Sequence, residues 1–99
     1  MSRLLEPAEI DRQLADLPGW AIDGASLSRT VQAPDFMTAV AVVDDVAVAA
    51  EAMDHHPDID IRWRRVGFTL STHSAGGITQ LDVELAHQIS EIARARGAS

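Results

Sequence analysis

Apolar residues return every three or four positions at Ile10, Leu14 and Leu17, behind a proline that suits a first helical turn, Pro7, until Pro18-Gly19 stops the pattern. This spacing predicts a helix over about residues 7–16. Trp20 and Ile22 then alternate up to Asp23-Gly24, and Leu27, Arg29 and Val31 alternate with Ser26, Ser28 and Thr30 beyond it, the pattern of a short β-hairpin. Asp35 can cap a second, longer helix over about residues 36–54, with Phe36, Val40, Val43, Ala47, Ala50 and Met53 stepping by three or four along one side. Val42, Val46 and Val48 make its other faces apolar too, so either the core-facing stripe is wide or part of the helix meets another subunit.

Pro57 biases His56 away from the helical region, so this helix should end near His55 and pass into an extended segment. Glu51 and His55 lie four apart on its last turns, where a carboxylate can orient an imidazole. Ile59, Ile61 and Trp63 alternate next, as do Val66, Phe68 and Leu70. A two-residue turn at Arg64-Arg65 pairs Trp63 with Val66, Ile61 with Phe68 and Ile59 with Leu70 on an apolar face, leaving polar or small pairs on the other. Such a turn is poor chemistry, costing on the order of 1 kcal/mol for each non-glycine forced to positive φ. Carried to the open end, the register sets His56 opposite His73 and Pro57 opposite Thr72. Three of the four histidines would then share one end of the hairpin.

Ser74-Ala75-Gly76-Gly77-Ile78 reads as a loop with a sharp reversal rather than a phosphate cradle. Thr79-Gln80-Leu81-Asp82 opens a last helix in the manner of a capping box, with Leu81, Leu85, Ile89 and Ile92 at helical spacing and Gly97 marking its end. His87, alone on that helix, reads as a surface or capping group. Trp20, Trp63, Phe36 and Phe68 read as core or interface, with core preferred over a site edge for Trp63.

Composition narrows what such a chain can do. Ninety-nine residues, 46% of them apolar, predict one compact domain over residues 1–99. No apolar run reaches the length of a membrane span, and Met1 to Pro7 lacks the apolar stretch of a signal peptide, so a cytoplasmic protein with no membrane partner is expected. With no cysteine there are no disulfides, thiolate zinc sites or iron–sulfur clusters. All eight basic residues are arginine, which excludes Schiff-base lysines and a P-loop lysine. A net charge of −7 opposes phosphate backbones and anionic lipid, so no direct nucleic-acid partner is expected, and Arg62, Arg64 and Arg65 beside Asp58 and Asp60 read as a solvated hairpin tip.

What remains is imidazole chemistry. Neutral histidine gives or takes a proton near pH 7, so His55, His56 and His73 are candidates for general acid–base work. A three-histidine metal site is disfavoured, because neighbouring side chains of an extended segment point to opposite sides.

At these residues the chain resembles the pterin-4a-carbinolamine dehydratases. The family pattern is an acidic residue, three others, His-His-Pro, an aromatic, a later histidine and an aspartate, met here by Glu51, His55-His56-Pro57, Trp63, His73 and Asp82. The resemblance extends to Leu17-Pro18-Gly19-Trp20, Asp35-Phe36, Leu70-Ser71-Thr72-His73 and Ala75-Gly76-Gly77-Ile78-Thr79, and so covers nearly the whole chain. The chain departs from its relatives at Arg64-Arg65, where Asn-Lys is common, and at Ile59, where many have tryptophan.

The resemblance implies an α+β fold of order α-β-β-α-β-β-α, a four-stranded antiparallel sheet with three helices packed on one face, in agreement with the order read from periodicity. It implies a hydro-lyase that dehydrates 4a-hydroxytetrahydrobiopterin to quinonoid dihydropterin and water, in tetrahydrobiopterin recycling, with no metal and no cofactor. It also implies a homodimer or homotetramer and a functional link to an aromatic amino acid hydroxylase. By similarity, His55, His56 and His73 are the catalytic imidazoles, with His56 and His73 moving protons, His55 binding or polarising substrate and Glu51 fixing a tautomer. Asp54, His55, His56, Ser71, Thr72, His73 and Ser74 would bind the pterin, with Glu51 and Asp82 as supporting carboxylates. Unpaired backbone groups around Ser71-Thr72 could meet the flat pterin edge. The alternative is a non-catalytic dimerisation or regulatory binding module on the same fold.

Overall fold

The computed structural model describes residues 3–99; Met1 and Ser2, the start of the segment read for a signal peptide, lie outside the described residues. Helix α1 (Pro7–Leu14) starts on Glu6, whose side chain accepts from Glu9 N–H while the Glu6 N–H donates to Glu9 Oε1 at 2.9 Å. Strands β1 (Ala21–Asp23) and β2 (Ser26–Gln32) follow, then helix α2 (Phe36–Met53), strands β3 (Asp58–Arg62) and β4 (Arg65–Leu70), and helix α3 (Gln80–Ala95). The order is the expected α-β-β-α-β-β-α. The strands form one antiparallel sheet in the spatial order β1-β2-β4-β3, so sequence-adjacent hairpins flank a central β2–β4 ladder.

The core lies between this sheet and the helices. Leu27 and Val31 of β2 and Val66, Phe68 and Leu70 of β4 point inward against Leu85, Ala86 and Ile89 of α3 and Val42 and Val46 of α2, all buried. Period-two alternation on the strands and helical periodicity on α3 therefore face each other, which is why both are legible in the sequence. The first hairpin turns on Gly24-Ala25, where Gly24 takes φ +60°, and Trp20 enters the core just before β1 with its indole N–H donating to Ser90 Oγ. Arg29 alternates inward too; it donates to the same Ser90 hydroxyl, and burial pushes its guanidinium pKa down.

Two expectations change. Helix α2 is capped by Asp35, which accepts from Thr38 N–H at 2.7 Å, but its buried stripe is Ala39, Val42, Val46 and Ala50, with Phe36 and Ala47 exposed. Alanine and valine fill most of the helix and its charges are confined to Asp44, Asp45 and Glu51, so the spacing of apolar residues alone could not choose its inner face. The second hairpin turns at Trp63-Arg64, pairing Ile61 with Val66 and Ile59 with Phe68, two positions from the expected register. The slip is even, so the same residues still face the core side. Trp63 is displaced from the ladder into the turn at φ +55°, 72% exposed, with the Arg64 guanidinium 5.3 Å from its ring centre; it is not core. Arg64 O accepts from Ala33 N–H at 2.8 Å, which ties this turn to the end of β2. Among the described residues, no helix is long and apolar enough to cross a membrane.

Candidate active site

The end of α2 aims the first two histidines. Asp54 adopts a left-handed conformation (φ 49°, ψ 44°), its N–H bonding Glu51 O at 3.1 Å while His55 N–H returns to Ala50 O at 3.0 Å. Asp is one of the few residues that enters this region at modest cost, and the reversal satisfies carbonyls the helix end would leave unpaired. The chain therefore leaves the helix one residue earlier than expected, and the carboxylate–imidazole pairing changes with it. Glu51 Oε1 meets His56 Nε2 at 2.5 Å on the surface rather than holding His55. His55 turns inward, 9% exposed, and places Nε2 2.6 Å from Asp82 Oδ1.

Asp82 is the junction of the site. It is fully buried in the first turn of α3, where Oδ2 accepts the Thr79 backbone N–H at 2.9 Å as half of a capping box. The same Oδ2 accepts the Thr72 hydroxyl at 2.9 Å, and Thr72 Oγ1 lies 2.7 Å from Thr79 Oγ1. Helix α2's end, the segment after β4 and the start of α3 are thus joined through one carboxylate. Buried polar groups need such partners, and no buried side-chain nitrogen or oxygen among the described residues lacks one.

This junction, not the hairpin register, brings the histidine segments together. In the observed register the β3–β4 ladder ends at Asp58 with Thr69, so His56 is not set opposite His73. Instead, His56 follows His55 and His73 follows Thr72, each one residue from a group bonded to Asp82. His73 is exposed in a tight loop closed by Thr72 N–H to Gly77 O at 2.8 Å and Gly76 N–H to Thr72 O at 2.9 Å. Ser71 donates to Ala25 O at 3.0 Å, and Ser74 and Asp54 are exposed beside the histidines in sequence. Thr72, expected to bind substrate, is buried with its hydroxyl committed inside the protein.

Sequence reasoning missed Thr79 as a member of this network, although its signal was the first letter of the capping box itself. Among the described residues, no three His, Asp or Glu side chains are placed to share one ion, since His55 and His56 are backed by different carboxylates. A hollow of about 470 Å³ lined by Gln32, Arg62, Trp63, Arg64 and Arg65 sits at the opposite end of the hairpin, and it carries no acid–base pair.

Residues 3–92 match the family described as pterin 4 alpha carbinolamine dehydratase. A Nocardia farcinica protein provisionally named pterin-4-alpha-carbinolamine dehydratase is 59% identical over 93 residues, 94% of this chain and 98% of that one. A Roseiflexus castenholzii protein with the same provisional name is 54% identical, covering 93% and 99% of the two chains. The crystal structure of a Brucella melitensis protein described as a transcriptional coactivator/pterin dehydratase superimposes with a TM-score of 0.88 at 36% identity, over 92% of this chain and 99% of that one.

Proposed function

Because the chain belongs to the pterin 4 alpha carbinolamine dehydratase family, and is therefore a hydro-lyase, we propose that it removes water from 4a-hydroxytetrahydrobiopterin by histidine acid–base catalysis. The observation that supports this reading is the shared carboxylate: His55 and Thr72 both bond Asp82, so His56 and His73 each lie one residue from a group it holds. The reaction needs little else. The C4a hydroxyl must gain a proton to leave as water while N5–H gives one up, its electron pair closing the C4a=N5 bond, so two imidazoles on neighbouring atoms suffice. His55, His56 and His73 are the proposed catalytic imidazoles. Asp54, Ser71 and Ser74 form the pterin rim, and Glu51 and Asp82 support the two paired imidazoles.

In this reading the enzyme acts in the cytoplasm as one domain over residues 1–99, recycling tetrahydrobiopterin oxidised by an aromatic amino acid hydroxylase. It works as a homodimer or homotetramer. Exposed Met37 and Val48 on α2 and Ile59 and Ile61 on the β3 edge support an assembly, since unpartnered apolar surface of this kind marks contact sites. A regulatory binding role is the second reading, favoured by the description of the Brucella protein as a transcriptional coactivator as well as a dehydratase. Stopped-flow absorbance of synthetic 4a-hydroxytetrahydrobiopterin separates the two: catalysis requires acceleration above the buffer rate in proportion to enzyme, and no acceleration leaves the binding module.

A further inference from the structure

With Asp82 ionised, the bonds around it have one consistent set of directions. The Thr79 backbone N–H can only donate, so the atom at the Oδ2 position must accept. Thr72 gives its single hydroxyl proton to Oδ2 and can then only accept across its 2.7 Å contact with Thr79, so the Thr79 hydroxyl donates. Thr79 Oγ1 in turn accepts Leu81 N–H at 3.3 Å. The relay runs one way from the start of α3 to the carboxylate, leaving Oδ1 for His55 Nε2 at 2.6 Å. His55 completes it as the donor, with its proton on Nε2.

The other ring nitrogen is then bare. Nδ1 makes no hydrogen bond among the described residues, and no fully enclosed side-chain nitrogen there is left without a partner, so Nδ1 keeps some contact with solvent in this 9% exposed residue. Glu51 gives His56 no comparable lock, because its side chain is 78% exposed.

We infer that His55 acts through Nδ1, fixed in the Nε2–H tautomer by Asp82, and that Thr72, backed by Thr79, is a positioning residue rather than a pterin contact. The inference deepens the dehydratase reading and rests on it for the reaction. The Nδ1 lone pair takes the N5–H proton, the N–H electron pair becomes the C4a=N5 bond, and the hydroxyl leaves as water with a proton from a second imidazole. The charge that forms on His55 lies against Asp82, the arrangement in which a buried carboxylate orients and stabilises an imidazolium.

Long-range nitrogen–proton NMR of histidine-labelled protein without ligand reads the tautomer directly, at a pH where the ring is neutral. Wild type should show His55 with Nε2 protonated. In Asp82→Asn, Thr79 N–H keeps the amide oxygen at the Oδ2 position and turns the NH₂ group toward His55, so Nε2 must accept and the proton moves to Nδ1. Turnover should fall by about 10²–10⁴-fold with every imidazole still present. A bare Nε2 in wild type, or an unchanged tautomer in folded Asp82→Asn, overturns the inference. Absence of dehydration by wild type with the expected spectrum strikes the dehydratase reading instead. Should Asp82→Asn fail to fold, Thr72→Ser should keep kcat while Thr72→Val loses about tenfold or more with KM unchanged. A raised KM at intact kcat in Thr72→Val would make Thr72 a substrate contact and refute its positioning role.

Discussion

Replacing Asp82 with alanine tests the claim that one carboxylate ties three segments together. The substitution removes a capping bond, worth about 1 kcal/mol, and strands buried donors on His55 and Thr72 at roughly 1–3 kcal/mol each. The total is about 3–7 kcal/mol. Native domains hold only about 5–15 kcal/mol in all, so this is a large fraction. With a urea slope of about 1–3 kcal/mol per molar, the unfolding midpoint should drop by about 1 M or more. Trp20 is buried and Trp63 is not, so the red shift of tryptophan emission on unfolding reports chiefly on Trp20. Glu51→Ala is the control: it also takes a carboxylate from a histidine, but at an exposed pair, and should change stability by no more than about 0.5 kcal/mol. An Asp82→Ala protein within about 1 kcal/mol of wild type would refute the junction.

Val42→Ala should cost about 1.5–3 kcal/mol in urea unfolding, whereas Val48→Ala, on the exposed face of α2, should cost under about 0.5. If that outer face meets another copy, Val48→Glu should lower the mass seen by sedimentation without changing the far-ultraviolet circular dichroism. Gly19→Ala should destabilise by about 1–3 kcal/mol, since φ is +88° there and a Cβ would stand 2.8 Å from Arg29 Nε; an unchanged melting temperature would contradict it. The Arg3 guanidinium, with Glu6 N–H, holds the Glu9 carboxyl at about 2 against an ordinary 4.5. Its folded pKa lies below the unfolded one, so its stabilisation is complete above pH 4.5 and is lost as pH falls toward 2. Glu9→Gln should therefore narrow the stability gap between about pH 6 and about pH 3, measured by urea midpoints.

Most of the fold was legible because local signals agreed with the packing. Pro7, Asp35 and Thr79 start the helices they announce, and the alternation on β2 and β4 survives as the buried face. The inner face of α2 was not legible, since valines and alanines surround it. The hairpin register was not either: two registers differing by an even step turn the same residues to the same side of the sheet, and the choice fell to a turn that places tryptophan at positive φ, against its preference. At the site, the residue identities were readable, but their pairing depended on Asp54. Its left-handed φ ends α2 at Met53, sends His55 inward and hands Glu51 to His56. No spacing rule along the helix contains that reversal.

Single-turnover stopped-flow measurement on His55→Ala, His56→Ala and His73→Ala tests most directly whether these imidazoles dehydrate a 4a-hydroxytetrahydropterin. Losses of about 10²–10⁴-fold for at least two of the three, in proteins with wild-type circular dichroism, are the expected result. Three folded variants that all turn over at the wild-type rate would contradict it.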